Sequence, residues 1–292
     1  MSVSLDSALP EPRAARRAFE RARGFDETCV VHDETRRRLL ERLDYIKVEP
    51  RVAVDLGCAT GRGALALARR FPAARVLAVD SSAAMLRAAR ARCASVAAIA
   101  AVRGDAERLP LRARSAQLVL ANLVLPWCRP QRLFAEVARV LEPGGALLFA
   151  TLGPDSLAEV RGAWAAVDSA LHVHAAFDMH DVGDLAVAAG LAEPVLDVDR
   201  IEVTYDRVAS LVRDLRACGA VNVAAGRRRG LTGVGRWRAF ERELGGDGNA
   251  SRFGVTIEIV LGSAFGGERP TADGPRAEVA VPLSRVRRRP RA

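Results

Sequence analysis

The stretch VDLGCATGRG, residues 54–63, decides the fold class of this 292-residue chain. It follows RVAVD (51–55), a short apolar run typical of a buried strand, and precedes ALALARRF (64–71), which has a helical pattern. A glycine-rich turn at such a junction lets the backbone approach a ligand closely, and the first turn of the helix offers free N–H groups to an anionic group. The spacing Gly57, Ala59, Gly61 does not match the GxGxxG pattern of dinucleotide-binding folds. The turn therefore predicts a ligand site in an α/β fold without fixing the ligand.

Strands and helices alternate on the C-terminal side of this turn. Further strands are predicted at 74–80, 96–103, 117–125 and 146–152. Helices are predicted from Ser81 or Ser82 and over 133–141, the second closed by Pro143-Gly144-Gly145. Alternation at this spacing predicts a doubly wound, Rossmann-like parallel sheet with helices on both faces and ligand sites at the carboxyl ends of the strands.

The chain outside this stretch is less regular. Residues 1–15 have the composition of a loose leader, and residues 18–43 have helical spacing, so 1–50 is predicted to be a leader and helical cover. The main domain is predicted at 51–265, with a cofactor half at 51–152 and a substrate and partner half at 153–265 that ends in a late strand, 254–265. Residues 266–292, rich in Pro, Gly and Arg, are predicted to form a disordered tail.

Three acidic residues follow predicted strands. Asp55 ends the first, Asp80 ends the second, and Asp105 lies in GDAERLPL just past the third. A carboxylate at the second position can accept hydrogen bonds from both ribose hydroxyls, and one at the third from an exocyclic amine. Each acid alone could equally be a solvated strand end, but three on successive strands favour a nucleoside site.

With these acids, the LPL segment and the PGG turn, the chain resembles the class I S-adenosylmethionine methyltransferases, which have a seven-stranded sheet. The resemblance implies S-adenosyl-L-methionine as cofactor. It implies that the glycine loop takes the methionine part, that Asp80 takes the ribose, and that Asp105 and Ala106 take the adenine, on which Met85 would pack. Carried over, the cofactor-binding residues are Asp55, Gly57, Gly61, Asp80, Met85, Asp105 and Ala106. Ala59 stands where many members of the family have glycine.

Four further segments, NLVLPWC (122–128), TLGPDSLAEVRGAWAAVD (151–168), HVHAAFDMHDVGD (172–184) and GAVNVAAGRRRGLTG (219–233), resemble the malonyl-acyl carrier protein O-methyltransferases of bacterial biotin synthesis. This likeness runs from about Phe19 to Phe265. It implies an enzyme that forms the methyl ester of a malonyl carboxylate on acyl carrier protein, with Asn122 and Trp127 as catalytic-pocket residues, although a Trp at such a position more often packs in the core. Because a malonyl carboxylate is already ionised at neutral pH, no general base is expected. The N-terminal segment of this family usually reads FxRAAxxYD; here FERARGFD (19–26) is one residue shorter and has Phe25 where the Tyr would fall.

The formal net charge of +9 comes from 44 basic residues that are almost all Arg, so it is weak support for a nucleic-acid partner. Arg227, Arg228 and Arg229 are predicted to contact the acidic carrier protein and its phosphopantetheine, with a solvated basic loop as the alternative.

Neither a metal site nor a membrane segment is predicted. His172, His174 and His180 have weak metal-ligand spacing, the five cysteines contain no CxxC pair, and no apolar run approaches the ~20 residues of a membrane span. These features suit reduced, buried thiols in a cytoplasmic protein.

Three alternatives remain open on sequence. The mitochondrial complex I assembly hydroxylases, which modify an arginine of a partner, have a very similar chain. A catalytically silent fold that docks a carrier protein is suggested by Ala59 and Phe25. A methyltransferase of small molecules such as a quinone precursor is the third, and the basic loop argues mildly against it.

Overall fold

A computed structural model of the chain describes residues 5–245 and 252–268. Its sheet has seven strands in the order β3-β2-β1-β4-β5-β7-β6. The strands are β1 Val52–Leu56, β2 Arg75–Asp80, β3 Ile99–Arg103, β4 Ala116–Asn122, β5 Leu141–Leu152, β6 Leu191–Tyr205 and β7 Phe253–Gly266. The helices are α1 Leu5–Ala8, α2 Pro12–Arg21, α3 Phe25–Thr28, α4 Val30–Arg42, α5 Arg62–Arg70, α6 Ala83–Arg92, α7 Pro130–Val140, α8 Ala158–Ala165, α9 Met179–Ala188, α10 Val208–Ala217 and α11 Val234–Gly245.

Helices cover both faces of the sheet, as the sequence predicts. Successive residues of a strand point to opposite faces, so Ala53 and Leu118 belong to one core while their neighbours Val54 and Val119 belong to the other. Strands buried on both faces read as continuous apolar runs, which is why β1 and β4 are recognisable in the sequence.

The sheet is mixed rather than purely parallel. The neighbours from β3 through β5 pair in parallel, whereas β7 is antiparallel to both β5 and β6. The prediction of a parallel sheet is therefore wrong for the last strand. The alternation of apolar residues is the same in either direction, so it carries no information on strand polarity.

Strand β1 lies between β2 and β4, so the chain order reverses beside it. In open α/β sheets a crevice forms at such a point, outside the carboxyl ends of the strands. The loops that follow β1, β2 and β4 meet there, and this geometry positions the site described below.

The N-terminal segment is ordered from residue 5, so the prediction of a loose leader over residues 1–15 is wrong for its described part. The N-terminal strap, which we define as residues 7–21, pairs with a loop more than 200 residues away: the amides of Glu11, Ala225 and Gly226 donate to the carbonyls of Val223, Leu9 and Ser7 at 2.8, 2.9 and 2.7 Å. Ala14 and Ala15 are buried beside Val223. Small side chains and distant partners leave no local pattern, so the sequence gives no sign of this order.

Smaller differences concern element ends. The strand predicted at 146–152 is β5, which begins earlier, at Leu141, and its pairing with β4 has a register shift at the PGG turn. Most of the predicted tail, 269–292, lies outside the described residues. All five cysteines are buried. Within 5–245 and 252–268, no helix is long and apolar enough to cross a membrane.

Candidate active site

A cavity of about 490 Å³ lies over the carboxyl ends of β1, β2 and β4. Its floor comes from the strand ends and the loops after them, and its roof comes from the N-terminal strap, α3 and α4. The lining residues are Pro12, Arg13, Ala15, Arg16, Phe19, Phe25, His32, Leu56, Gly57, Ala59, Val79, Asp80, Ser81, Arg103–Glu107, Asn122–Val124, Trp127 and Cys128. The volume lies in the range of ~300–1,000 Å³ that small-molecule and cofactor sites occupy.

The structure brings together most of the nine residues that the sequence assigns to the cofactor site and the catalytic pocket. Six of them line this one cavity: Gly57, Asp80, Asp105, Ala106, Asn122 and Trp127. Asp55, Gly61 and Met85 lie outside the lining, and each contacts a neighbouring element instead.

Asp80 is held by backbone donors at the floor of the cavity. Its Oδ2 accepts a hydrogen bond from the amide of Ala59 at 3.0 Å, and its Oδ1 accepts one from the amide of Ser82 at 2.8 Å. Burial raises the pKa of this carboxyl, and the backbone donors oppose that rise. Each oxygen keeps a free lone pair, so the oriented carboxylate can accept two hydroxyl groups of a ligand.

The glycine loop needs glycine for its own backbone and packing. Gly57 and Gly61 have φ values of +67° and +85°, which favour glycine. A Cβ on Gly57 would lie 2.8 Å from Val124, and one on Gly61 would lie 3.1 Å from Ala89 and from Cys93. Gly57 faces the cavity, whereas Gly61 allows α6 to approach the loop.

Ala59 adopts the same left-handed region without being glycine, at φ +44°. This conformation costs a non-glycine residue ~1–2 kcal/mol, which exceeds the ~0.5–1 kcal/mol entropic cost of glycine. We expect Ala59→Gly to raise the melting temperature by about 1–3 °C in differential scanning calorimetry. Ala66→Gly, in the middle of α5, is the control and should lower it. A lower melting temperature for Ala59→Gly would mean that residue 59 is not strained.

Asp55 lies beneath the glycine loop rather than in the cavity. Its carboxylate accepts a hydrogen bond from the amide of Ala64, Oδ2 is buried without a partner, and burial raises the pKa of the group to about 7. A Cβ on Gly63 would lie 2.7 Å from both carboxylate oxygens. The residue therefore holds the first turn of α5 against β1, a position from which it supports the loop.

Asp105 and Ala106 form one wall of the cavity just after β3. The Oδ1 of Asp105 accepts a hydrogen bond from the amide of Glu107 at 2.9 Å, which fixes the turn, while its side chain remains exposed. Ala106 is buried beside it in the core on the α7 face. An exocyclic amine in the cavity could therefore reach a carboxylate whose orientation is already set.

Met85 occupies a different place from the one predicted. It is buried in a small cluster with Phe25, Cys29 and Cys218, and it does not line the cavity. A residue in the first turn of α6 could face either the ligand or the N-terminal helices. In this structure the N-terminal helices pack on Met85.

Asn122 joins the end of β4 to the cover. Its Nδ2 donates to the carbonyl of His32 at 2.9 Å, and its Oδ1 accepts from the hydroxyl of Thr35 at 2.7 Å. One amide hydrogen and one lone pair remain for a ligand. Its described contacts are thus those of a residue that positions α4 over the cavity.

Trp127 both lines the cavity and packs against neighbouring side chains, the two roles that the sequence left open. It lines the cavity, and its ring lies edge-to-face with Phe19 at 5.0 Å and with His174 at 5.2 Å. The three rings form an apolar wall between the strap and the β4 loop. Such a wall offers water no hydrogen-bonding partner on this side of the cavity.

Phe25 also lines the cavity, next to the ring of His32 at a centroid distance of 5.1 Å. Burial lowers the pKa of His32 to about 4, so this imidazole is neutral near pH 7. The roof therefore presents uncharged rings to the cavity.

Ion pairs fasten the roof to the glycine loop. The carboxylate of Asp26 accepts from the hydroxyl of Thr60 at 2.7 Å and pairs with the guanidinium of Arg62 at 3.0 Å. Arg92 pairs with the same carboxylate, and Arg62 also pairs with Asp33. The cover and the cofactor loop therefore form one connected network.

Two cations at the cavity mouth are missing from the sequence prediction. Arg13 and Arg16 of α2 line the mouth and are exposed. Neither makes an ion pair with another residue in the described part of the chain. The N-terminal segment is visibly rich in Arg, but no local sequence pattern indicates which of these guanidinium groups face a cavity.

The basic loop separates into two kinds of arginine. Arg227 is 18% exposed; it pairs with Glu11 at 3.0 Å and donates to the carbonyl of Ala224 at 2.7 Å. Arg229, 69% exposed, reaches the same carboxylate at 3.3 Å, and Arg228 is exposed. The three arginines therefore do not form the one contact surface that the sequence predicted. Arg227 fixes the strap, and only Arg228 and Arg229 face solvent.

The three histidines do not converge. His172 hydrogen-bonds Asp168 at 2.8 Å and stacks on Trp164, whereas His174 contacts the backbone at Val221 and Val223. His180 is exposed at the start of α9. Within the described ranges no group of three or more His, Cys, Asp or Glu side chains could hold a metal ion.

Comparison with known proteins agrees with this geometry. Residues 54–149 match a family described as a methyltransferase domain. The chain is 39% identical to the malonyl-[acyl-carrier protein] O-methyltransferase of Methylovorus sp. (strain MP688), over 99% of each chain. It is 42% identical to the protein of the same name from Laribacter hongkongensis (strain HLHK9), over 88% of this chain and 89% of that one.

Solved structures share the fold at low identity. The YcgJ protein of Bacillus subtilis superposes with a TM-score of 0.56 at 16% identity, covering 79% of this chain and 98% of that one. The geranyl diphosphate C-methyltransferase of Streptomyces coelicolor A3(2), solved with S-adenosyl-L-homocysteine, gives a TM-score of 0.50 at 15% identity, covering 80% and 78%. These likenesses show the class I methyltransferase fold.

Proposed function

This chain belongs to the family of malonyl-[acyl-carrier protein] O-methyltransferases, and from that premise we propose how its own residues perform the reaction. The chain is an S-adenosylmethionine-dependent enzyme that esterifies the free carboxylate of a malonyl group on acyl carrier protein, a step of biotin synthesis. One observation carries the proposal: a single cavity combines an oriented carboxylate, Asp80, at its floor with two cations, Arg13 and Arg16, at its mouth.

The residues at the floor fit the cofactor. In this proposal Asp80 accepts the ribose hydroxyls, Asp105 and the backbone beside Ala106 take the adenine edge, and the loop at Gly57 takes the methionine end. The cofactor supplies an electrophilic methyl group on a sulfonium. Asp55, Gly61 and Met85 act behind this surface, since they hold α5, α6 and the roof in place.

The mouth fits an anionic acceptor. Arg13 and Arg16 would hold the malonyl carboxylate by charge-assisted hydrogen bonds, which are stronger than neutral ones. One carboxylate oxygen remains to act as the nucleophile, and it needs no base because it is already ionised. The imidazole in the roof, that of His32, is a weak base, since burial lowers its pKa to about 4.

The chain's main contributions are therefore orientation and exclusion of water. Holding a nucleophile in line with its electrophile can supply ~7–11 kcal/mol of the barrier. The wall formed by Phe19, Trp127 and His174 would keep water from the reacting atoms. In this proposal, residues 51–152 form the cofactor half, and residues 153–265 form the partner half that supports the wall.

We place the partner contact on the exposed arginines Arg228 and Arg229 and leave Arg227 to its structural role. We assign this basic surface to an acidic carrier protein rather than to a nucleic acid, and the reaction to the cytoplasm, where carrier protein and cofactor are both available.

The test is mass spectrometry of malonyl-acyl carrier protein incubated with the chain and S-adenosylmethionine. The expected product carries one additional methyl group on the malonyl unit, which mild ester hydrolysis removes. If no methyl is gained although calorimetry shows that S-adenosylhomocysteine binds, the proposed reaction is excluded and the chain is a diverged or silent member of its fold.

A further inference from the structure

A second concave surface lies beside the cavity, on the solvent side of α10. We call it the basic groove; it is lined by Arg21, Arg23, Ala209, Val212, Arg213, Arg216, Ala217, Gly230, Leu231, Thr232 and Trp237. It therefore combines the end of α2 and the residues after it, one face of α10, and the loop that leads to α11.

The lining contains four guanidinium groups and no carboxylate. Arg213 approaches Asp214 at 3.4 Å, but Arg21, Arg23 and Arg216 have no ion pair with another residue in the described segments. Like charges that share a concave surface repel one another and concentrate the positive potential. The groove is therefore complementary to a surface that is rich in carboxylates.

An apolar side chain stands among these charges. Leu231 is 94% exposed, the highest value among the large apolar residues described as exposed. The half-buried ring of Trp237 forms the floor nearby and is braced by Phe240 at 5.5 Å and by Trp164 at 6.4 Å. Leu231 and Trp237 line the same groove as the four arginines, and enrichment in aromatic and Arg side chains is typical of protein-binding surfaces.

One helix connects the groove to the cavity. Arg16 and Phe19 of α2 line the cavity, whereas Arg21, at the end of the same helix, lines the groove. Five residues of helix span about 7.5 Å. A protein seated in the groove is thus next to the cavity mouth, and a flexible arm that it carries has a short path past Arg16.

We propose that the basic groove is the docking surface for the acidic carrier protein, with Leu231 as its apolar anchor. This inference rests on the proposed function, because it names the surface that delivers the substrate of that reaction. The inference extends the proposed carrier-protein contact from Arg228 and Arg229 to residues of α2 and α10. Arg228 and Arg229 then lie at the border of the basic groove, next to Gly230.

The test compares two double charge reversals of equal size. Arg213→Glu/Arg216→Glu changes the groove. Arg69→Glu/Arg75→Glu is the control. Arg69 lies in the last turn of α5 and Arg75 is the first residue of β2, whereas the cavity lies at the other end of β2, at Asp80. Both control residues are therefore at the opposite edge of the sheet from the cavity. For both variants and the wild type, binding of malonyl-acyl carrier protein is measured by fluorescence anisotropy, and kcat/KM is measured with malonyl-acyl carrier protein and with malonyl-coenzyme A.

We expect the groove variant to bind the carrier protein about ten-fold more weakly or worse and to lose kcat/KM for it in proportion, since two contacts become repulsive. Its kcat/KM for malonyl-coenzyme A should stay within about two-fold of the wild-type value, because that substrate reaches the cavity without a docked protein. Leu231→Ser should weaken carrier binding without changing the charge. The control should match the wild type with both substrates.

The outcomes separate the two proposals. If the wild type binds the carrier protein and the groove variant binds it more weakly, but neither thioester is esterified, the proposed reaction fails while the docking surface stands. Unchanged carrier binding in the groove variant overturns the docking inference whatever the turnover. Tight binding of a single-stranded oligonucleotide that the groove variant abolishes, with carrier binding unaffected, would assign the groove to nucleic acid and overturn it as well.

Discussion

Replacing Asp80 with alanine is expected to weaken the binding of S-adenosylhomocysteine by about 100-fold or more, since two charge-assisted hydrogen bonds of ~1.5–3 kcal/mol each are lost. The substitution also releases the amides of Ala59 and Ser82, which the carboxylate holds at 3.0 and 2.8 Å. Both the ligand contact and the shape of the glycine loop depend on this one side chain, so its removal should have the largest effect of any single change in the cavity.

Isothermal titration calorimetry measures this directly. Asp80→Asn is the matched variant, because it keeps the volume and one acceptor oxygen but removes the charge, and its loss should be intermediate. Asp105→Asn tests the adenine side and should cost less, because Asp105 is exposed whereas Asp80 is half-buried. A ten-fold or smaller effect of Asp80→Ala, with the fold intact by circular dichroism, would place the ribose elsewhere.

The second large effect is expected from Arg13→Gln/Arg16→Gln at the cavity mouth. Loss of both guanidinium groups should lower kcat/KM about 100-fold, because the carboxylate loses two charge-assisted partners. The reduction should be the same for malonyl-acyl carrier protein and for malonyl-coenzyme A, since both present the same carboxylate. Equal losses for the two substrates distinguish this prediction from that for the basic groove.

Steady-state kinetics with both thioesters provide the measurement, and Arg17→Gln is the matched control. Arg17 is exposed on the same helix but does not line the cavity, so its replacement should leave kcat/KM nearly unchanged. Binding of S-adenosylhomocysteine should also be unchanged in the double variant. If kcat/KM stays within about three-fold of the wild-type value, the carboxylate is held by other groups.

Much of the fold could be predicted because its signals are local. The apolar runs at β1, β2 and β4 have the composition of buried strands, and a glycine or an acid marks the carboxyl ends of β1 and β2, at Gly57 and Asp80. Parallel strands bring those ends to one edge, so Gly57, Asp80 and Asp105 could be placed together before any coordinate was known. An acid at the end of a strand indicates a position in the site because the order and direction of these strands are regular.

The rest depended on contacts between distant parts of the chain. The order of the N-terminal strap comes from pairing with residues 223–226, and the role of Arg227 comes from its partner Glu11. Asn122 is occupied by Thr35 and His32, which lie about 90 positions earlier, and no spacing rule connects them. Met85 was assigned to the ligand because its local helix position allows it, but the cover packs on it instead.

The pairing of the N-terminal strap has a consequence for synthesis of the protein on the ribosome. The strap emerges first, whereas its partners, residues 223–226, emerge only after the cofactor half is complete. Domains fold as the chain is made, so the glycine loop and its strands can assemble while the strap still has nothing to pair with. Until residues 223–226 are translated, the strap part of the roof lacks its pairing partners. We therefore expect Phe19 and Trp127 to be more accessible to chaperones and proteases in the growing chain than in the finished protein.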